Sequence, residues 1–128
     1  RIRPLLETGA IVILDRFYDS TTAYQGYGRQ IIPVPDIEQL NKLATQNLEP
    51  DITIYLKLDP EIAYERRKSV RKEDRMEQAG PDFFKRVNAG FDALAAREER
   101  IVVFDSSRSA AETFEAIKAH LEKILPRL

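Results

Sequence analysis

The chain has no cysteine in its 128 residues, which excludes disulfides and thiolate chemistry and fits a reducing cytoplasm. It has a single histidine, His120, which falls in the last predicted helix, away from the charged clusters below, and reads as a bystander. No apolar run approaches the roughly 18–20 residues that span a bilayer, and no signal-peptide pattern is present, so no membrane role is expected. Charge of neither sign dominates: 20 basic residues against 21 acidic ones leave a net −1. Nothing global points to nucleic acid, and any anion binding must come from a local cluster. Repeats, low-complexity segments and long linkers are also missing. Residues 1–128 therefore read as a single domain, long enough to bury a core.

What is present is an alternation of helical and strand patterns. The chain opens on Arg1 inside a helical pattern, RIRPLLETG, with Pro4 in its first turn or at a kink in a longer helix and Gly9 as its stop. Further sequence is expected upstream. Ile11 to Leu14 is a short β-branched run and predicts a strand. Ser20 to Tyr27 has helical spacing, with Asp19 or Ser20 as cap and Gly26 and Gly28 closing it. After a loop at 31–35, Asp36 is expected to cap a helix to about Asn47. Ile52 to Leu58 is the second strand. Asp59-Pro60 starts a helix that runs into a basic tract ending near Glu77. Gly80-Pro81 breaks it, and Asp82 opens a helix to about Glu98 with Phe83, Phe84, Val87, Phe91 and Leu94 inward. Ile101 to Phe104 is the third strand. Ser109 caps a last helix, striped by Phe114, Ile117, Leu121 and Ile124. This order predicts an α/β fold, a parallel sheet with helices on both faces.

Three clusters can carry chemistry, all at or beyond the carboxyl ends of predicted strands, where open α/β sheets build ligand sites. The first is Asp15-Arg16 and the helix after it. A carboxylate there can hold Mg²⁺ through water or accept a proton, and the guanidinium can take a phosphate with two parallel hydrogen bonds. Thr21, Tyr24 and Gln25 offer a hydroxyl, a flat ring and an amide fit to read a nucleobase edge. Equally, Tyr24 can be core and the other two surface.

The second cluster is the tract Arg66, Arg67, Lys68, Arg71, Lys72 and Arg75. It fits a solvated helix face, each pairing with a nearby acid contributing about 0.2–0.5 kcal/mol. It also fits a lid whose arginines neutralise charge during phosphoryl transfer. The third is Asp105-Ser106-Ser107-Arg108, an ordinary polar turn or the backbone lining of an adenine pocket.

Taken together these residues resemble the thymidylate kinases, the bacterial dTMP kinase branch of the P-loop nucleoside monophosphate kinases. The resemblance rests on DRFYDSTTAYQGYGR, LEPDITIYLKLDPEIAYERR, KEDRMEQ and VVFDSSRS, and it covers essentially the whole chain. Phe17 stands where the family's signature usually has tyrosine, losing a hydroxyl but keeping the ring. The resemblance implies transfer of a phosphoryl group from ATP to dTMP, giving dTDP, with Mg²⁺, in the cytoplasm and as a homodimer.

Position by position, it implies that Asp15 lies near the transfer centre and its Mg²⁺, held through water. Arg16 would bind the dTMP phosphate, Thr21 and Gln25 the thymine, and Tyr24 the deoxyribose. Arg71 and Arg75 would be catalytic arginines of a lid spanning residues 66–80, with Arg66 at its base. Arg66, Ser106, Ser107 and Arg108 would form the ATP side.

The family's G-x-x-x-x-G-K-[ST] loop occurs nowhere in this sequence. The chain is therefore expected to be the carboxyl-terminal part of a longer kinase and inactive alone. In the family's strand order the absent first strand lies between two strands present here, so an unfilled slot with exposed apolar surface is expected. Two alternatives differ in class or substrate. One is a non-catalytic module that keeps dTMP recognition, and the other is a related deoxynucleoside kinase, which the Tyr24 and Gln25 context fits less well.

Overall fold

Two short runs rich in β-branched and aromatic residues, TIYLK and IVVFD, form the sheet. The computed structural model describes residues 1–69 and 80–125. Within these, β1 (Thr53–Lys57) pairs in parallel with β2 (Ile101–Asp105), Thr53 opposite Ile101 and Lys57 opposite Asp105. A parallel pair needs a long crossover, and here it contains α4 (Pro60–Lys68) and α5 (Gly80–Arg97). Three helices precede the sheet: α1 (Ile2–Glu7), α2 (Tyr18–Thr21) and α3 (Val34–Thr45). A π-helical segment, Thr22–Gly28, continues α2, and α6 (Ala110–Ile124) follows β2.

Helix α5 is the organising element. Its Phe83, Phe84 and Val87 bury against Ala23 of the π-helical segment. About two turns on, Leu94 buries against Tyr55 and Ile101 of the two strands. Phe91 touches both clusters, as the inward spacing of these residues predicts. Each such burial stabilises the fold by about 1.5–3 kcal/mol. The other sheet face meets α6, where His120 stands edge-on to Phe104 with ring centroids 5.8 Å apart. Helices thus lie on both faces of the parallel pair.

The local signals behind α1, α4 and α6 appear as expected. Gly9 has φ of +83°, the left-handed turn that ends α1. The Asp59 carboxylate accepts from the Glu61 N–H at 2.8 Å, with Pro60 in the first turn. Ser109 and Glu112 form a reciprocal capping box at the start of α6.

Other expectations are corrected. Ile11 to Leu14 forms no strand, because a strand needs a neighbour for its backbone groups and none pairs with it among the described residues. Ile13 is 89% exposed there. Neither Asp19 nor Ser20 caps a helix: α2 begins at Tyr18, and the Asp19 carboxylate is taken by Arg100. Asp36 is not a cap either. Val34 and Pro35 join the first turn of α3, which leaves Asp36 inside that turn, where the helix dipole favours a carboxylate.

Gly26 does not close its helix. It lies within the π-helical segment, where a Cβ would meet Val34 at 3.0 Å, so the residue serves close packing. Helix α5 begins at Gly80, two residues before Asp82, and the stripe on α6 is partly uncovered, with Phe114 60% exposed. Continuation of the basic helix to Glu77 lies outside the described residues.

Candidate functional site

Asp15 and Arg16 sit on the turn between the unpaired Ile11–Leu14 segment and α2, and both are exposed. Arg16 adopts φ of 68°, a left-handed backbone uncommon for a residue with a Cβ. Such conformations persist where surrounding structure imposes them and cluster at functional sites. The turn brings the Arg16 guanidinium over Tyr24, with its carbon 5.6 Å from the ring centroid, within the range of a cation–π contact. Tyr24 in turn tilts against Phe83 at 6.0 Å and meets Phe91 edge-on at 6.3 Å. Tyr24 therefore packs against the core, and the Arg16 guanidinium lies over its ring.

Thr21 is exposed and Gln25 half-buried, one on each side of the change from α to π winding. In the wider winding the Arg29 N–H reaches back five residues to the Tyr24 carbonyl, at 2.9 Å. π-Helical turns are frequent at functional sites, and this one carries Tyr24 and Gln25. Residue spacing alone did not reveal it.

A second assembly forms where the strands end. Arg66, near the end of α4, donates from Nη1 to the Ser106 carbonyl and from Nη2 to the Ser107 carbonyl, both at 3.1 Å. The Ser107 hydroxyl and then its N–H hold Asp105 below the usual carboxylate value, the N–H donating at 2.8 Å. The next residue, Arg67, stacks over Phe84 with its guanidinium carbon 4.0 Å from the ring centroid. At these two positions of the basic tract the arginines have partners within the protein. Arg108 is exposed. Arg71 and Arg75 lie outside the described residues.

Beside this turn runs an open groove of about 670 Å³, lined by Lys57, Asp59, Lys85, Asn88, Asp92 and Asp105 among others. Asp92 accepts from the Tyr55 hydroxyl and pairs with Lys57, each at 3.0 Å. Burial first, then the nearby Asp92 carboxylate, raises the Tyr55 phenol far above its ordinary pKa of 10.0. Arg86, Asn88 and Arg100, which no local pattern marks, and Asp19, expected only as a helix cap, fix the site's framework. Arg86 donates to the Gly28 carbonyl and Asn88 to the Leu58 carbonyl, both at 2.9 Å. Asp19 and Arg100 join the arginine-bearing turn to the sheet. The spacing of α5 could flag Arg86 and Asn88 only as non-core positions.

The family model described as thymidylate kinase matches residues 1–117. The chain belongs to the thymidylate kinase family. It is 46% identical over 118 residues to a thymidylate kinase of Trichodesmium erythraeum (strain IMS101), an alignment covering 92% of this chain and 52% of that protein. A thymidylate kinase of Synechococcus sp. (strain JA-2-3B'a(2-13)) is 45% identical, covering 98% and 59%. One from Bifidobacterium longum subsp. infantis is 43% identical, covering 97% and 52%. The chain spans about half the length of these curated thymidylate kinases. Membership of the thymidylate kinase family carries the P-loop nucleoside monophosphate kinase fold, of which this chain shows a parallel strand pair between helices. No helix among the described residues is long and apolar enough to cross a membrane.

Proposed function

We propose that the protein bearing this chain transfers a phosphoryl group from ATP to dTMP, giving ADP and dTDP. The observation that carries the reading is Arg16, exposed and held in a left-handed turn above Tyr24. A guanidinium presented that way can take a monophosphate with two charge-assisted bonds while the ring beneath it receives the sugar. Thr21 and Gln25 follow on the same helix and contact the thymine. Arg66, Ser106, Ser107 and Arg108 form the ATP side. Arg71 and Arg75, in a lid spanning residues 66–80, stabilise charge on the transferring group.

The donor set fits Mg²⁺. This ion keeps several waters and is held by one or two carboxylates together with substrate phosphates. Asp15 offers one exposed carboxylate beside the phosphate-binding arginine, suited to hold the ion through water. When bound, Mg²⁺ would neutralise phosphate charge. By the same reading the enzyme is a cytoplasmic homodimer.

The test is Arg16→Ala in the full-length gene product. Because the side chain is exposed, the thermal unfolding midpoint should stay within a few degrees of wild type. The kcat/KM for dTMP should fall by about 10²-fold or more, as for loss of a charged phosphate contact. Retention of wild-type kcat/KM would remove Arg16, and with it this reading of the site.

A further inference from the structure

The helix that carries Tyr24 and Gln25 changes from α to π winding at Thr22, a fully buried residue. Three donors meet at one carbonyl there. The Thr22 N–H is shared between the Tyr18 and Asp19 carbonyls. The Thr22 hydroxyl donates back to the Tyr18 carbonyl at 3.3 Å, and Nδ2 of Asn41, on α3, donates to it at 3.4 Å. A carbonyl has two lone pairs, so the three donors weaken one another. A hydroxyl bonded to the carbonyl four residues back also loosens and bends a helix. Asn41 sets the direction of that hydroxyl. Its Nδ2 donates to Thr22 Oγ1 at 2.9 Å, which leaves the single hydroxyl hydrogen to turn toward Tyr18.

We infer that Asn41 is a positioning residue for nucleobase recognition, acting through Thr22 to fix where the π winding begins and so where Gln25 points. This role rests on the reading of Gln25 as a thymine contact. A π turn holds about one residue more than an α turn, so side chains beyond Thr22 fall behind the places that α winding would give them. In an unbroken α-helix Gln25 would stand one turn above Thr21 on the same face. Gln25 lies three residues past Thr22, and its direction relative to Thr21 depends on where the change of winding falls. The amide of Asn41 is required as a donor. A carboxylate of the same shape would accept the Thr22 hydrogen and turn it away from Tyr18.

The experiment compares dTMP and dCMP as acceptors from ATP in the full-length gene product. Thymine presents a carbonyl oxygen where cytosine presents an amino group, so the ratio of their kcat/KM reads the aim of Gln25. That ratio should fall by about three- to tenfold in Asn41→Asp and in Thr22→Val, through KM for dTMP. KM for ATP should stay close to wild type. The double variant should lose no more than the larger single loss, because both changes break one device. Thr22→Ser keeps the hydroxyl and should hold the ratio, and the two Thr22 variants supply the measurement if Asn41→Asp does not fold. A lowered unfolding midpoint with an unchanged ratio, an equal loss with both monophosphates, or the same loss in Thr22→Ser as in Thr22→Val overturns the inference and leaves the kinase reading intact. If Gln25→Ala leaves the ratio unchanged, the reading of Gln25 and the inference fall together.

Discussion

Asp19 and Arg100, 81 residues apart in the chain, meet as a two-pronged ion pair with N–O distances of 2.7 and 2.8 Å. Both side chains are nearly buried, at 11% and 12% exposure. Arg100 also donates to the Thr53 hydroxyl at 2.8 Å and lies over the Tyr18 ring at 5.3 Å. One guanidinium therefore ties the start of α2 to the starts of both strands. The segment before α2 has no strand partner among the described residues, and this pair anchors the helix that directly follows the turn carrying Asp15 and Arg16.

Breaking that tether should be costly. Asp19→Ala or Arg100→Ala leaves the other charge nearly buried and alone, and each should lower stability by about 2–4 kcal/mol, toward the lower part of the range for buried pairs. Denaturant unfolding of the full-length protein measures this. The double variant should lose clearly less than the sum of the singles, since the shared interaction is removed once. Strictly additive losses would mean the two residues do not interact.

Packing between α5 and the π-helical segment depends on the absence of a side chain at Gly90. A Cβ there would stand 2.7 Å from Cβ and Cγ of Tyr27. Gly90→Ala should therefore destabilise the protein by about 1–3 kcal/mol, the usual cost of overpacking, although alanine is the better helix former. A stability equal to or above wild type would show that Tyr27 moves aside freely.

Much of this framework was legible in the sequence and some was not, for a consistent reason. Asp59, Ser109 and Gly9 act on backbone within a few residues of themselves, so their roles appear in local order. The inward face of α5 follows from helical periodicity alone. Asp19 was open to misreading because its partner lies 81 residues away, and nothing nearby distinguishes a capping aspartate from a paired one. Ile11 to Leu14 has the composition of a strand, yet a strand is completed only by a neighbour. In the candidate site, the Asp-Arg pair and the Tyr24–Gln25 spacing pointed to the turn after Leu14, where Arg16 lies over Tyr24. The grip of Arg66 on two carbonyls could not be read from residue types, because it depends on the conformation of a turn 40 residues later.

The buried Tyr55 predicts an alkaline transition. Its phenol has a folded-state pKa raised above the unfolded value of 10.0, chiefly by burial and next by Asp92. The contribution is fully present below pH 10 and is lost as pH rises toward and through the raised folded value. In that window the unfolded chain binds fewer protons than the folded one. Stability should fall there by up to about 1.4 kcal/mol per pH unit for this group. Denaturant midpoints from neutral pH to above pH 10 should show the decline, and Tyr55→Phe should reduce it. An identical alkaline profile in the variant would assign the transition to other groups.

The most direct test of the account is a panel of nucleoside monophosphates offered to the full-length gene product with ATP and Mg²⁺, with diphosphate formation measured. dTMP should give the highest kcat/KM, and the product should be dTDP. A preference for dAMP, UMP or an unphosphorylated nucleoside, or no transfer to dTMP, would contradict it.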